Sequence, residues 1–211
     1  MRARTIRRNW LDEAEHWSIP IIANLLWVLL SVFIVTIPLG LVGLFGVIYR
    51  WMDDRNPQVM PVFLGTIRRV WYKAYLVMGL NLLAGGLVVL NLLIFQMMDA
   101  DLFTFLARSI TLFVGLLLVM VNLYVWPLLA VWDVPLKRVL KTSAQLVLIE
   151  PIWAGVFAVG FGLSVVASVF LPPAAFVIFW GALFAYGVSR GLRFILRRYL
   201  AAEDFALIDL Q

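Results

Sequence analysis

Five uncharged apolar runs decide what this chain can become. They cover residues 21–48, 74–98, 109–132, 152–171 and 174–189, and none contains an Asp, Glu, Lys or Arg. A helix needs roughly 18–20 apolar residues to cross about 30 Å of hydrocarbon, and most of these runs approach or exceed that length. With 64% hydrophobic residues over 211 positions and a mean hydropathy of +1.00, the chain holds more apolar surface than one soluble core of its size could bury. The expected fold is all-α: a polytopic integral membrane helical bundle, one membrane domain over residues 1–200 followed by an acidic amphipathic tail over 201–211.

Charge placement supports this. The net charge of +5 would point to nucleic acid in a soluble protein, but here the Lys and Arg residues stand at the ends of the apolar runs, where they anchor and orient membrane helices. No nucleic-acid partner is expected. The absence of Cys removes disulfides, thiolate metal sites and cysteine nucleophiles. The opening "MRARTIRRNWLDEAEHWSIP" begins like a signal peptide, but Asp12, Glu13 and Glu15 interrupt it and the apolar run that follows is too long. It is expected to be retained as an amphipathic arm over residues 1–19.

The first run poses a topological problem. As one straight helix, residues 21–48 would be about 42 Å long and need a tilt of about 45°, just beyond the common range. A Pro-Leu-Gly triplet, Pro38, Leu39 and Gly40, lies inside it. With a straight crossing, the 17 Lys and Arg residues divide 12 against 5 across the membrane. With a turn at 38–40, the arginines at positions 2, 4, 7 and 8 join the majority and only Arg108 is left on the other side. The positive-inside rule favours the turn. Pro38 and Gly40 are therefore the expected hinge of a short hairpin, helix one over 20–36 and helix two over 39–51. This predicts about six membrane-embedded helices with both termini in the cytoplasm; the alternative is five spans with a kinked first helix.

Basic amphipathic segments accompany the spans. In the arm, Ile6, Trp10, Ala14 and Trp17 share a side. Before the second run, Phe63, Ile67, Val70, Trp71, Ala74 and Tyr75 follow helical spacing, with Arg68, Arg69 and Lys73 expected to face away. A third segment sets Leu136, Val139, Leu140, Ala144 and Val147 against Lys137, Arg138 and Lys141, and a fourth sets Leu192, Ile195, Leu196 and Tyr199 against Arg193, Arg197 and Arg198. Helices of this kind lie in the headgroup layer, basic face toward anionic lipid. The basic residues at 68, 69, 73, 137, 138, 141, 193, 197 and 198 are the candidate face for anionic lipid headgroups or a protein partner.

Nothing in the spans points to catalysis, which at membrane depth normally needs a titratable group. His16 is the only histidine and stands beside Glu13 and Glu15, so it has no second ligand for a metal site. Asp53, Asp54 and Arg55 have turn composition. Asp99 and Asp101 belong to a short outer loop, and Glu150-Pro151 suits the first turn of a helix. No catalytic residue, metal site or cofactor is expected. Asn24, Ser31, Thr36, Asn81, Asn91, Thr111, Asn122, Ser164 and Ser168 are the uncharged polar residues of the spans. Asn81, Asn91 and Asn122 are the candidate intramembrane polar contacts, explained by interhelical hydrogen bonds or by a polar path for a neutral solute. The spacings Gly160-Ser164-Ser168 and Gly181-Ala185-Ser189 mark close-packing faces within the chain or in a homodimer.

Three stretches, "NLLWVLLSVFIVTIPLGLVGLFGVIYRW", "FLGTIRRVWYKAYLVMGLNLL" and "NLYVWPLLAVWDVPLKRVLKTSAQLVLIEPI", resemble the YesL-like family of bacterial multipass membrane proteins. The resemblance implies an inner-membrane location and no catalytic residues. By association it also implies an accessory or assembly role in carbohydrate uptake, with a sugar-import permease as partner. A small transporter or channel for a neutral solute is the alternative function.

Overall fold

The computed structural model describes residues 2–53, 57–99, 101–170 and 180–199, with side chains from Trp17 onward except Ser168. Every regular element in them is helical: α1 (Arg2–Ser31), a 3₁₀ turn (Ile34–Thr36), α2 (Ile37–Trp51), α3 (Val59–Gln96), α4 (Leu102–Val131), α5 (Leu136–Ile149), α6 (Pro151–Phe170) and α7 (Gly181–Tyr199). Three stretches are long and apolar enough to cross a membrane: Ile34–Trp51, Val59–Gln96 and Leu102–Val131. The pair α5 and α6, bent by 101°, adds a fourth if it is counted as one span.

Paired contacts show three antiparallel hairpins. In the first, Trp17 stacks on Trp51 at 5.5 Å between ring centroids, and Gly40 lies against Trp27 and Leu30. In the second, Asn81 meets Asn122, Gly115 meets Val88, and Arg108 reaches the Phe95 carbonyl. In the third, Trp153 packs on Phe194 and Phe161 on Phe184. The chain thus turns back on itself inside its first apolar run, and the turn lies five residues earlier than the triplet.

The position of that turn has a local cause. Proline has no N–H to bond back to residue 34, a lack that is harmless in the first turn of a helix, and Pro38 occupies the first turn of α2. The chain reverses over Val32–Thr36, where the Thr36 hydroxyl donates to the carbonyls of Leu30 and Phe33 and the Ser31 hydroxyl donates to Trp27 O. These side chains satisfy backbone groups left open by the end of α1. Gly40, expected as part of the hinge, is a packing position: a Cβ there would stand 3.1 Å from Trp27 Cδ1.

α2 is the central post. Of its apolar window 61% is buried, against 6% for that of α3, so α2 is enclosed by protein while α3 presents most of its length outward. Glycine permits this enclosure at two further points. A Cβ on Gly43 would lie 2.7 Å from the Phe63 ring, and one on Gly46 would lie 2.5 Å from Thr66 Oγ1. Small residues let helices approach this closely where lipid offers no hydrophobic drive for association.

One boundary differs from the sequence expectation. The arm and the first hairpin helix are one helix that passes through Pro20. The amphipathic segment before the second span is likewise continuous with it: α3 has 38 residues and runs about 57 Å, nearly twice the hydrocarbon thickness. No Gly or Pro pair interrupts residues 66–78, so nothing ends the helix there. By contrast α5 and α6 do break at Glu150-Pro151, where proline disfavours α conformation in the residue before it; the Glu150 backbone leaves the helical region at φ −125°, ψ 62°. The acidic tail, Asp54, Arg55 and residues 171–179 lie outside the described residues, as do the side chains of residues 1–16, His16 included.

Candidate functional site

One end of the bundle gathers most of the charge, and helix termini explain how. The last carbonyls of an α-helix have no partner within it and carry partial negative charge. α4 ends at Val131, and two cations from α3 cover that end: Arg69 donates to Ala130 O at 2.6 Å, while Lys73 donates to Val134 O at 3.1 Å and to Asp133 Oδ1 at 3.0 Å. α2 ends at Trp51, and Arg193 of α7 serves it similarly. Its guanidinium lies 4.3 Å over the Tyr49 ring, donates to Tyr49 O at 3.4 Å and pairs with Asp53 at 2.5 Å. At the opposite end Arg108 donates to Phe95 O, in the last turn of α3, at 2.6 Å.

These contacts correct the expected basic face. Lys73 is 5% exposed and Arg193 9%, and Arg69 is half-buried; all three face inward. Arg68, Lys137, Arg138, Lys141, Arg197 and Arg198 are exposed, as a lipid- or partner-facing set requires. The apolar side of the α3 segment differs accordingly, since Trp71 is exposed while Phe63, Val70 and Ala74 are buried. The reason is what lies opposite. A cation is placed inward where an acid and open carbonyls stand against it, because a buried charge needs both a counter-charge and hydrogen-bond partners.

Glu150 closes the same end of the third hairpin. Its Oε1 accepts from the Tyr199 hydroxyl at 2.6 Å and lies 3.6 Å from Arg198. This contact raises the Tyr199 pKa above its ordinary value, chiefly because the phenol donates to a carboxylate.

Between the apolar segments lies a cavity of about 470 Å³ with walls from α1, α2, α3, α4, α6 and α7. Its lining is apolar and aromatic, with Trp27, Trp126 and Trp180 contributing, and its polar groups are Asn81, Asn122 and Ser164. The two asparagines form a reciprocal amide pair, with Asn81 Nδ2 to Asn122 Oδ1 at 2.6 Å and Asn122 Nδ2 to Asn81 Oδ1 at 2.8 Å. Asn122 also donates to Leu118 O, and Ser164 donates to Gly160 O. The two asparagines thus satisfy each other, and Ser164 satisfies itself on its own helix, while the Trp27 indole N–H is left without an acceptor among the described residues. The pair clasps α3 to α4, whereas Asn91, the third of the expected polar contacts, is exposed on the outer part of α3. The volume falls within the range of small-molecule pockets.

No protein family matches the chain, and neither a curated protein nor a solved structure matches it. Among the described residues no group of three or more His, Cys, Asp or Glu could hold a metal ion. Of the predicted site residues, the fold joins Asn81 to Asn122, brings Arg69 and Lys73 to one helix end, and leaves Lys137, Arg138 and Lys141 exposed on α5. Sequence reasoning missed Asp133 as a counter-ion. Its signal was available, since it is an acid directly after an apolar run, in "AVWDVP". The tryptophan walls of the cavity had no such signal, because nine tryptophans are scattered through the chain and spacing alone does not show which ones converge.

Proposed function

We propose that this chain is a non-enzymatic multipass protein of the bacterial inner membrane, an accessory or assembly component that presents a basic cytoplasmic surface to a membrane partner. The observation that carries the reading is the division of its cations. Arg69, Lys73 and Arg193 are committed to helix ends inside the fold, while Lys137, Arg138 and Lys141 remain exposed on α5, which lies at 101° to the helix that follows it. Such an arrangement suits a helix resting in the headgroup layer, its basic face turned to anionic lipid or to an acidic partner surface. In this reading six helices are embedded in the membrane, the first two as the short hairpin, and both termini are cytoplasmic. The resemblance to the YesL-like family adds a carbohydrate-import permease as the expected partner, and a second copy of the chain is the other candidate.

The test is affinity capture from native membranes, comparing the wild-type chain with the K137E/R138E/K141E variant. A stoichiometric permease recovered with the former and lost with the latter supports the reading. Recovery of the chain alone in repeated preparations would sink it. Since the chain lacks Cys, single cysteines at Arg4, Asp99 and Gln211 report topology with an impermeant thiol reagent in intact cells. Labelling is expected at Asp99 alone.

The cavity favours a second reading, passage or binding of a neutral solute. Its apolar walls suit an uncharged and largely apolar molecule better than a sugar. Flux of such a solute through liposomes, altered by N81L, would support it, and no flux across a broad solute panel would dispose of it.

A further inference from the structure

A second concavity, of about 570 Å³, opens at the charged end and is lined by Trp51, Met52, Tyr186, Arg190, Arg193, Phe194 and Arg197. Arg190, Arg193 and Arg197 stand at i, i+3 and i+7 and so share one face of α7. Among the described residues three guanidiniums line this space and no carboxylate does. Asp53 pairs with Arg193 but is not part of the wall.

Two of the three guanidiniums, those of Arg193 and Arg190, are held in place before any ligand arrives. Arg193 is tied to Asp53 and to the ring and carbonyl of Tyr49, and its Nε–H is left without an acceptor among the described residues. Arg190 donates to the Tyr186 hydroxyl at 2.6 Å. Preorganised arginine donors match the oxygens of a phosphate group better than a flexible ammonium can. Apart from Met52 the rest of the lining is aromatic: Trp51 and Tyr186 pack edge to face at 5.6 Å, and Phe194 is 58% exposed beside them.

We propose that Arg190 and Arg197, flanking the committed Arg193 on one face of α7, bind the phosphate of an anionic membrane phospholipid, whose glycerol and upper acyl segment lie on Trp51, Tyr186 and Phe194. Charge selects a phosphate, and the aromatic wall selects its source. Inorganic phosphate has no apolar part to cover an exposed phenylalanine, whereas Trp and Tyr rings are at home at the headgroup level of a bilayer. The inference rests on the reading above only in placing this end of α7 at a membrane surface. It adds a discrete site for one lipid where that reading has a general basic face.

Native mass spectrometry of the full chain in neutral detergent tests it, titrating phosphatidylglycerol and phosphatidylcholine of identical acyl chains, with inorganic phosphate in a separate arm. Phosphatidylglycerol is expected to bind at a roughly tenfold lower concentration, and R190Q/R197Q, which leaves the Arg193 pairing intact, is expected to erase that preference. Single R190Q provides a gentler variant if the double one does not fold, and a partial loss is expected. K137Q/K141Q should retain the full preference, and F194A should weaken both lipids alike. Equal binding of the two lipids by the wild-type chain, or a preference that survives R190Q/R197Q, overturns the proposal. So does a preference lost equally in K137Q/K141Q, which would assign it to general surface charge. Inorganic phosphate bound as tightly as the lipid would replace the lipid with a soluble phosphate compound and overturn the assignment. Thiol labelling that placed the termini outside would refute the topology above and leave this lipid measurement standing, because it needs no particular leaflet.

Discussion

The α3 segment around Arg69 and Lys73 and the α5 segment around Lys137 and Lys141 look alike as sequences, yet the fold points their cations in opposite directions. In α3 they turn inward onto the exposed end of α4 and onto Asp133. In α5 they stay on the surface, with Val139, Leu146 and Val147 buried on the other side. The amphipathic rule assumes that a cation prefers water or headgroups. It fails where open carbonyls and a carboxylate form a better-directed acceptor set than solvent. Arg193 and Arg108 obey the same logic at the ends of α2 and α3, so the positive residues of this protein divide into those that finish helices and those that face outward.

The sharpest way to break that comparison is at Arg193. Replacement by Ala strands Asp53 and uncovers the end of α2, and should lower stability by about 3 kcal/mol, whereas R198A on the exposed side should cost less than about 0.5 kcal/mol. Denaturant titration in mixed micelles reads both; equal effects would erase the distinction. Lys73→Ala comes next, at about 2 kcal/mol, the smaller value reflecting an Asp133 side chain that is 45% exposed and so remains solvated. Lys141→Ala should be near neutral in the same assay.

Glycines extend the inward and outward contrast to packing. A methyl group on Gly43 would meet the Phe63 ring at 2.7–2.9 Å, and Phe63 is fully enclosed, so G43A should cost about 1–2 kcal/mol. Gly85 has nothing within 4 Å, and G85A should be tolerated in the same thermal melt. Asparagines give a smaller effect: N81L breaks the amide pair at about 0.6 kcal/mol, while N91L on the outer surface should change nothing measurable.

The smallest effect lies at the opposite end of the bundle. Asp101 caps α4 by accepting from Thr104 N at 2.7 Å, and that backbone hydrogen bond holds its carboxyl below the ordinary 3.8. A lowered folded pKa means the cap contributes at pH values above the unfolded one and is lost as pH falls through the folded one. Amide exchange in the first turn of α4 should therefore rise only below about pH 4, and D101N, which keeps an acceptor but not the titration, should flatten that response.

Much of the architecture was legible in advance. Apolar runs without charge determine helices whatever their neighbours, because an unpaired backbone group in hydrocarbon is too costly for any other open structure. The reversal within the first run was also visible, since helix length and the arginine distribution both argued for it. Its position was misread because proline was taken as the bend itself, although its chemistry suits the start of the next helix. Along α3 the change from amphipathic to apolar pattern alters what surrounds the helix and does not end it.

Spacing along one helix tells which residues share a face, and from that the sequence by itself determined the all-helical class, the reversal and the concentration of basic charge toward one end. Which face looks inward depends on what another helix brings opposite, through contacts dozens of residues apart in the chain. Only the tertiary structure therefore decided that Lys73 meets Asp133, that Arg193 closes the end of α2, that Asn81 clasps Asn122, and that the row of arginines on α7 shares its concavity with Trp51, Tyr186 and Phe194.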